Sequence, residues 1–170
     1  CLPKLLKELA AIEDLQFIRI LYCYPEEITP ELIQVIKEED KICKYLDMPI
    51  QHAADDVLKR MGRRTDNAQL RSIIGELRKE IPDICLRTTL ITGFPGETQK
   101  DFAVLKDFVK EMRFDRLGVF PYSPEEGTGA AKMKGQIPSF IKNMRRNAIM
   151  KLQQEIAFEK AAEMIGKTVD

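Results

Sequence analysis

Apolar positions along this chain change period repeatedly, and the changes divide it into alternating helical and extended stretches. From Leu2 to Leu15 the spacing is helical, with Leu5, Leu6, Leu9 and Ile12 on one face and Pro3 suited to a first turn. Phe17–Tyr24 reads as a first strand, stopped by Pro25. Thr29-Pro30 opens a helix that turns Leu32, Ile33 and Ile36 inward. A second strand, Ile42–Met48, ends at Pro49 and delivers Gln51 and His52. Helical patterns cover Ala54–Met61 and Asp66–Lys79, split by Gly62 and closed by Pro82. A third strand, Leu86–Ile91, runs into the turn Gly93-Phe94-Pro95-Gly96. Thr98 with Asp101 then caps a helix from about Gln99 to Met112, with Phe102, Leu105, Phe108 and Val109 inward. The fourth strand is Arg116–Phe120, and the loop after it, Pro121 to Ile137, has a length that is usually functional or mobile. A long helix from about Ser139 to Ile165 closes the pattern, with Pro138 near its start and Gly166 at its end.

Strands alternating with helices predict an α/β fold with a parallel sheet under helical cover. In such a sheet every strand ends at the same edge, where ligands bind. That edge collects Tyr22 to Pro25; Pro49, Gln51 and His52; Gly93 to Glu97; and Pro121 to Pro124. On the third strand Arg87, Thr89, Ile91 and Gly93 share one face, because side chains alternate. A charge in mid-strand is costly against a packed core, so that face looks into something polar.

Composition narrows the class. The 170 residues can bury a real core, and 44% apolar with 32% charged is ordinary for a soluble globular domain. No apolar run approaches the roughly 20 residues of a membrane helix, and no secretory signal pattern opens the chain. Lysines plus arginines equal aspartates plus glutamates at 27 each, so there is no global basic footprint for nucleic acid. Cys1, Cys23, Cys43 and Cys85 are too far apart for a metal clip or redox motif. They read as reduced thiols in a cytoplasmic protein, with Cys23 and Cys85 packed as small hydrophobes.

Individual residues carry two readings each. His52, the single histidine, stands ready to exchange hydrogen bonds or a proton, or is structural. Gln51 either meets a polar ligand or caps a loop. Arg87 either grips a carboxylate or pairs internally with Asp47, and Arg19 has the same ambiguity. Arg63-Arg64 reads as a solvated helix end or a partner for a nearby carboxylate. Glu97 is a ligand contact or a carboxylate favoured by a helix N-terminus. The Lys142–Arg146 cluster reads as solvated surface. The glycine turn lacks the lysine of a nucleotide triphosphate loop and is not a dinucleotide fingerprint.

Four motifs in order go further: Tyr45 to His52; Val57 to Thr65; Leu90 to Thr98; and Arg113 to Thr128. Together, across essentially the whole chain, they resemble the radical S-adenosylmethionine methylthiotransferases. Gln51-His52-Ala53 stands where tRNA-modifying members usually have Gln-Ser-Gly, and Tyr22-Cys23-Tyr24-Pro25 where they tend to have Ser-His-Pro. These differences favour the branch that methylthiolates the β-carbon of an aspartate in a small-subunit ribosomal protein. His52 and Tyr24 thereby become candidates for substrate or branch specificity. The alternatives are tRNA as substrate and, in another class, a non-catalytic α/β module binding a nucleotide or protein.

The resemblance implies the later part of a partial (βα)6 TIM-like barrel: four strands with covering helices over 1–137, the last barrel helix over 138–166, and the first residues of a β-rich domain at 167–170. It implies S-adenosylmethionine and two 4Fe-4S clusters, one that cleaves S-adenosylmethionine to a 5′-deoxyadenosyl radical and one that delivers sulfur. A second S-adenosylmethionine supplies the methyl group, and a flavodoxin- or ferredoxin-like protein supplies electrons. It places Ile91 and the Gly93 region near the adenine; Gln51, Thr89 and Arg87 toward the ribose or methionine; and Phe120 to Tyr122 along the adenine through backbone. The family's Cys-x-x-x-Cys-x-x-Cys motif is absent. The chain is therefore expected to be a piece of a longer enzyme, to hold no metal and do no radical chemistry alone, and to expose a sheet edge open to self-association.

Overall fold

The structure is a computed structural model, and it describes residues 1–167. The expected start of a further domain falls mostly at 168–170, outside the described residues. Four strands form one parallel sheet in the order β1 (Ile18–Ile20), β2 (Ile42–Asp47), β3 (Cys85–Thr92), β4 (Arg116–Pro121). The helices are α1 (Leu2–Ala10), α2 (Pro30–Glu38), α3 (Asp55–Arg60), α4 (Asn67–Glu80), α5 (Gln99–Met112) and α6 (Ser139–Glu163). Each strand follows a helix and precedes another, so all four C-terminal ends reach one edge.

Caps explain several helix starts. The Thr29 hydroxyl accepts from the Leu32 N–H at 3.2 Å, with Pro30 in the first turn. Asp66 with Gln69 and Thr98 with Asp101 form reciprocal capping boxes on α4 and α5. α1 is shorter than the apolar spacing predicts, ending at Ala10 rather than Leu15. Only Leu6 of its four apolar face residues is buried, while Leu5 and Ile12 are exposed, so nothing rewards a further turn. β1 is likewise cut to three residues from the eight expected. It pairs only with β2, its register slips between Ile18 and Ile20, and Tyr22 takes φ 59°.

The core lies between the sheet and its helices, from Leu32 and Ile36 through Leu46, Leu86 and Leu90 to Phe108 and Phe114. On β3 the alternation holds. Leu86, Thr88, Leu90 and Thr92 are buried; Thr89 and Ile91 are half-buried; Arg87 is exposed. A smaller apolar cluster of Ala54, Val57 and Phe94 sits under the ligand edge, with Met61, Tyr122 and Met133 against it.

Candidate functional site

The edge is shaped first by an extra residue after β2. Met48 N–H donates to Arg87 O at 2.9 Å and Gln51 N–H to Thr89 O at 3.0 Å, so three steps on one chain face two on the other. The mismatch strands Met48 O and Ile50 N–H. The Thr88 hydroxyl satisfies both, donating to Met48 O at 2.9 Å and accepting from Ile50 N–H at 3.3 Å. Thr88 is thus a buried plug for a bulge. Beyond it Gln51 takes φ 69°, and its carbonyl accepts from Ile91 N–H at 2.8 Å. Both backbone groups of Gln51 are spent on β3, and its side-chain Oε1 is buried without a partner.

The Gly93–Glu97 turn is held from three sides. Glu97 Oε2 accepts from Gly93 N–H at 2.6 Å and Phe94 N–H at 3.3 Å. Its Oε1 accepts from Arg145 Nη1 at 2.7 Å, and both side chains are closed to solvent. Glu97 is therefore the internal anchor of the turn. Gly93 has φ 73°, and a Cβ there would overlap Lys142 Cγ, so the stem of Lys142 occupies the space a side chain needs. The Lys142 ammonium donates to Tyr122 O at 2.9 Å and lies 4.8 Å from the Tyr122 ring centre. Burial holds its pKa below the ordinary lysine value. From the far loop, Gly135 O accepts from Gly96 N–H at 2.9 Å.

These contacts overturn the expectation that Lys142–Arg146 is solvated: Lys142 and Arg145 are both buried. The signal was present in helical phase. Lys142, Arg145, Ile149, Gln153 and Ile156 recur at three- and four-residue steps, so the cations share a stripe with two core isoleucines.

The structure brings several expected residues together. Gln51, Arg63, Ile91 and Phe94 line one cleft of about 430 Å³, with Ala130 and Met133 across it. Thr89 lies one layer below Ile91 on the same face, and Phe120, in register with Ile91, is exposed beside it. Tyr122 packs edge-on against Phe94 with ring centres 5.2 Å apart. Arg87 sits lower on that face with Asp47 Oδ2 at 3.7 Å, so the internal ion pair is present. Arg19 stacks over Tyr45 at 4.7 Å.

Two further candidates make internal contacts beside the edge. His52 is fully buried; its Nδ1 accepts from Ala54 N–H at 3.0 Å, and its Nε2 lies 3.6 Å from Glu97 Oε2. It touches the turn's anchor, away from the open edge. Arg63 lines the cleft and stacks over Tyr24, with 5.0 Å from guanidinium to ring centre. Among the described residues no three His, Cys, Asp or Glu side chains gather where they could hold a metal ion. The four cysteines are free and scattered, and burial followed by the charges of Glu27 and Glu26 pushes the Cys23 thiol up to about 11.

The profile of the radical SAM superfamily matches residues 1–109. The chain belongs to the radical SAM superfamily. Among its relatives is the ribosomal protein uS12 methylthiotransferase RimO of Lachnoclostridium phytofermentans, 63% identical over 98% of this chain and 38% of that protein. RimO of Alkaliphilus oremlandii is 55% identical over 97% of this chain and 38% of its own length. This radical SAM chain therefore spans under two fifths of the relatives it matches. Coproporphyrinogen III oxidase of Escherichia coli, a radical SAM enzyme, superposes with TM-score 0.62 at 26% identity, over 95% of this chain and 36% of that one. The four parallel strands and their helices are thus part of a radical SAM TIM-like barrel. No helix among the described residues is long and apolar enough to cross a membrane.

Proposed function

We propose that this chain is the later part of the barrel of a methylthiotransferase that modifies an aspartate in the small-subunit ribosomal protein uS12. The observation that carries the reading is the 63% identity, over nearly the whole chain, with a relative named as a ribosomal protein uS12 methylthiotransferase. Residues 1–137 are the strand-bearing part of the barrel, 138–166 its last helix, and a β-rich domain begins near 167. The enzyme works in the cytoplasm with a reductant protein.

The residues of the strand edge suit S-adenosylmethionine. Gln51 Oε1 is a buried acceptor with no donor of its own, beside Ile91 and Phe94, which offer an apolar wall. Gln51 and Thr89 serve the polar part, Ile91 and Gly93 the base, and Phe120 and Tyr122 border it. S-adenosylmethionine supplies both the hydrogen-abstracting radical and the methyl group when it is bound in the complete enzyme. This chain's residues contribute position: the Glu97–Arg145 pair and the Lys142 stem fix the turn, and Thr88 fixes the height of Gln51. Among the described residues no three ligands converge, so an iron–sulfur cluster does not fit them. Its ligands lie in another part of the enzyme.

The test uses the full-length enzyme, reconstituted anaerobically with S-adenosylmethionine, sulfide and reductant and offered uS12 and tRNA separately. Mass spectrometry follows the methylthio group. A gain on the uS12 aspartate is the expected result. A gain on tRNA alone overturns the choice of substrate and keeps the chemistry.

A further inference from the structure

His52 is the single histidine of the chain, and its ring is sealed from solvent. Its two nitrogens stand in different settings. Nδ1 accepts from the Ala54 N–H at 3.0 Å, closing a turn onto the residue that precedes α3. A nitrogen that accepts carries no proton, so in the neutral ring the proton sits on Nε2. That Nε2–H has no hydrogen-bond partner among the described residues. It faces Glu97 Oε2 at 3.6 Å, just beyond hydrogen-bond length. A dry donor without a partner is costly, so its direction calls for an explanation.

The carboxylate it faces controls one wall of the cleft. Glu97 Oε2 holds the N–H groups of Gly93 and Phe94. Phe94 in turn lines the cleft beside Ile91, with Tyr122 packed edge-on against its ring. Arg145 is committed to Oε1 and to the Glu97 carbonyl, so on the Oε2 side the side-chain donor is His52. The ring also has a firm base. The preceding residue spends both backbone groups on β3, and the Ala54 N–H is tied to the ring itself. A proton aimed from this fixed base at Oε2 draws the carboxylate toward the end of β2, and Phe94 follows it.

We propose that His52 is a positioning residue: its Nε2–H, acting through Glu97, sets where the Phe94 wall stands and so how firmly the cleft grips S-adenosylmethionine. The inference rests on the radical methylthiotransferase reading. His52 touches no ligand in this role. One ring carries two separable tasks: Nδ1 secures the start of α3, and Nε2 adjusts the cleft.

Two substitutions in the reconstituted full-length enzyme divide the ring. His52→Asn keeps an acceptor where Nδ1 stands and deletes the Nε2 donor, whereas His52→Gln keeps a donor where Nε2 stands and deletes the acceptor. Equilibrium dialysis measures S-adenosylmethionine, interferometry measures uS12, and thermal melts read stability; all binding is measured well below the lowest melting temperature. His52→Asn is expected to melt nearer the wild type, yet to weaken S-adenosylmethionine about fivefold, the worth of one hydrogen bond, with uS12 little changed. His52→Gln is expected to melt lower, yet to bind S-adenosylmethionine within about twofold of the wild type. A purely structural histidine gives one ranking of the variants in both readouts; the positioning role requires the rankings to cross. Affinity that follows melting temperature overturns the inference, as do wild-type affinities in both variants or a loss confined to uS12. If either variant does not fold, isotope-labelled histidine NMR of the wild type decides: S-adenosylmethionine is expected to shift the His52 Nε2 resonance, and an unmoved resonance overturns the inference. A wild-type enzyme that does not bind S-adenosylmethionine overturns the functional reading itself, a result distinct from these.

Discussion

Arg145 reaches 2.7 Å from Glu97 in a setting where the carboxylate is fully buried and the guanidinium side chain nearly so. The carboxylate simultaneously accepts two backbone N–H groups of the glycine turn, so one ion pair joins α6 to the ligand edge. Removing one member leaves an uncompensated buried charge, which costs about 3–5 kcal/mol. Arg145→Met is expected to lose stability in that range in urea unfolding. Arg145→Met combined with Glu97→Gln is expected to lose less than the single change, because the stranded charge is gone. A double variant as unstable as the sum of both single variants excludes this coupling.

Gly93 and Gly62 separate strain from crowding. Both have φ above 70°, a region that costs a residue with a Cβ about 1–2 kcal/mol. At Gly62 an added Cβ meets nothing within 4 Å, whereas at Gly93 it overlaps Lys142 Cγ and lies 2.9 Å from Lys142 Cβ. Gly62→Ala is therefore expected to cost only the backbone term, and Gly93→Ala clearly more. Lys142→Ala should relieve part of the second cost in a double-mutant cycle. Equal losses at the two glycines count against the packing described here.

The thiols differ in exposure and acidity. Cys1 is exposed, while Cys23 is buried with its pKa raised to about 11. A raised thiol pKa means less thiolate at a given pH: at pH 8 about one part in a thousand of Cys23 is ionised. Timed alkylation with iodoacetamide at pH 8, read by peptide mass spectrometry, is expected to label Cys1 first and Cys23 last. Raising the pH toward 11 should speed Cys23 most. Labelling of Cys23 at the rate of Cys1 contradicts its burial.

Iron and sulfide supply the fourth test. No metal-holding group of ligands is present among the described residues, so this chain incubated anaerobically with both should gain no stoichiometric cluster absorbance after desalting. A chromophore of about one cluster per chain refutes the assignment of the ligands to another part of the enzyme.

Much of the fold was legible because the chain alternates its periods cleanly. Among the described residues the four strands and six α-helices lie where apolar spacing places them, and Thr29, Asp66 and Thr98 announce their helices by capping chemistry. The errors sit where tertiary partners decide. The apolar run from Phe17 to Tyr24 overstates β1 because an edge strand has only one neighbour, and such a run says nothing about how many neighbours it will find. The site was half legible. Gln51, Ile91 and Gly93 follow from strand ends, but charge alone misled at Lys142 and Arg145, whose helical phase with Ile149 outweighs their polarity. Thr88 gave no signal at all, since its hydroxyl matters only through the register slip it repairs.

The anchoring of the turn by α6 also sets an order of assembly. Glu97 emerges from a ribosome 48 residues before the guanidinium that neutralises it, and Thr92 comes 50 residues before the Lys142 carbonyl its hydroxyl binds. Through that interval the Glu97 carboxylate has to stay hydrated, so the turn stays loose while the sheet and the earlier helices gather. The candidate ligand edge is consequently the last part of the domain to set. A nascent chain of this protein passes through a stage in which its scaffold is built and its glycine turn is not yet anchored.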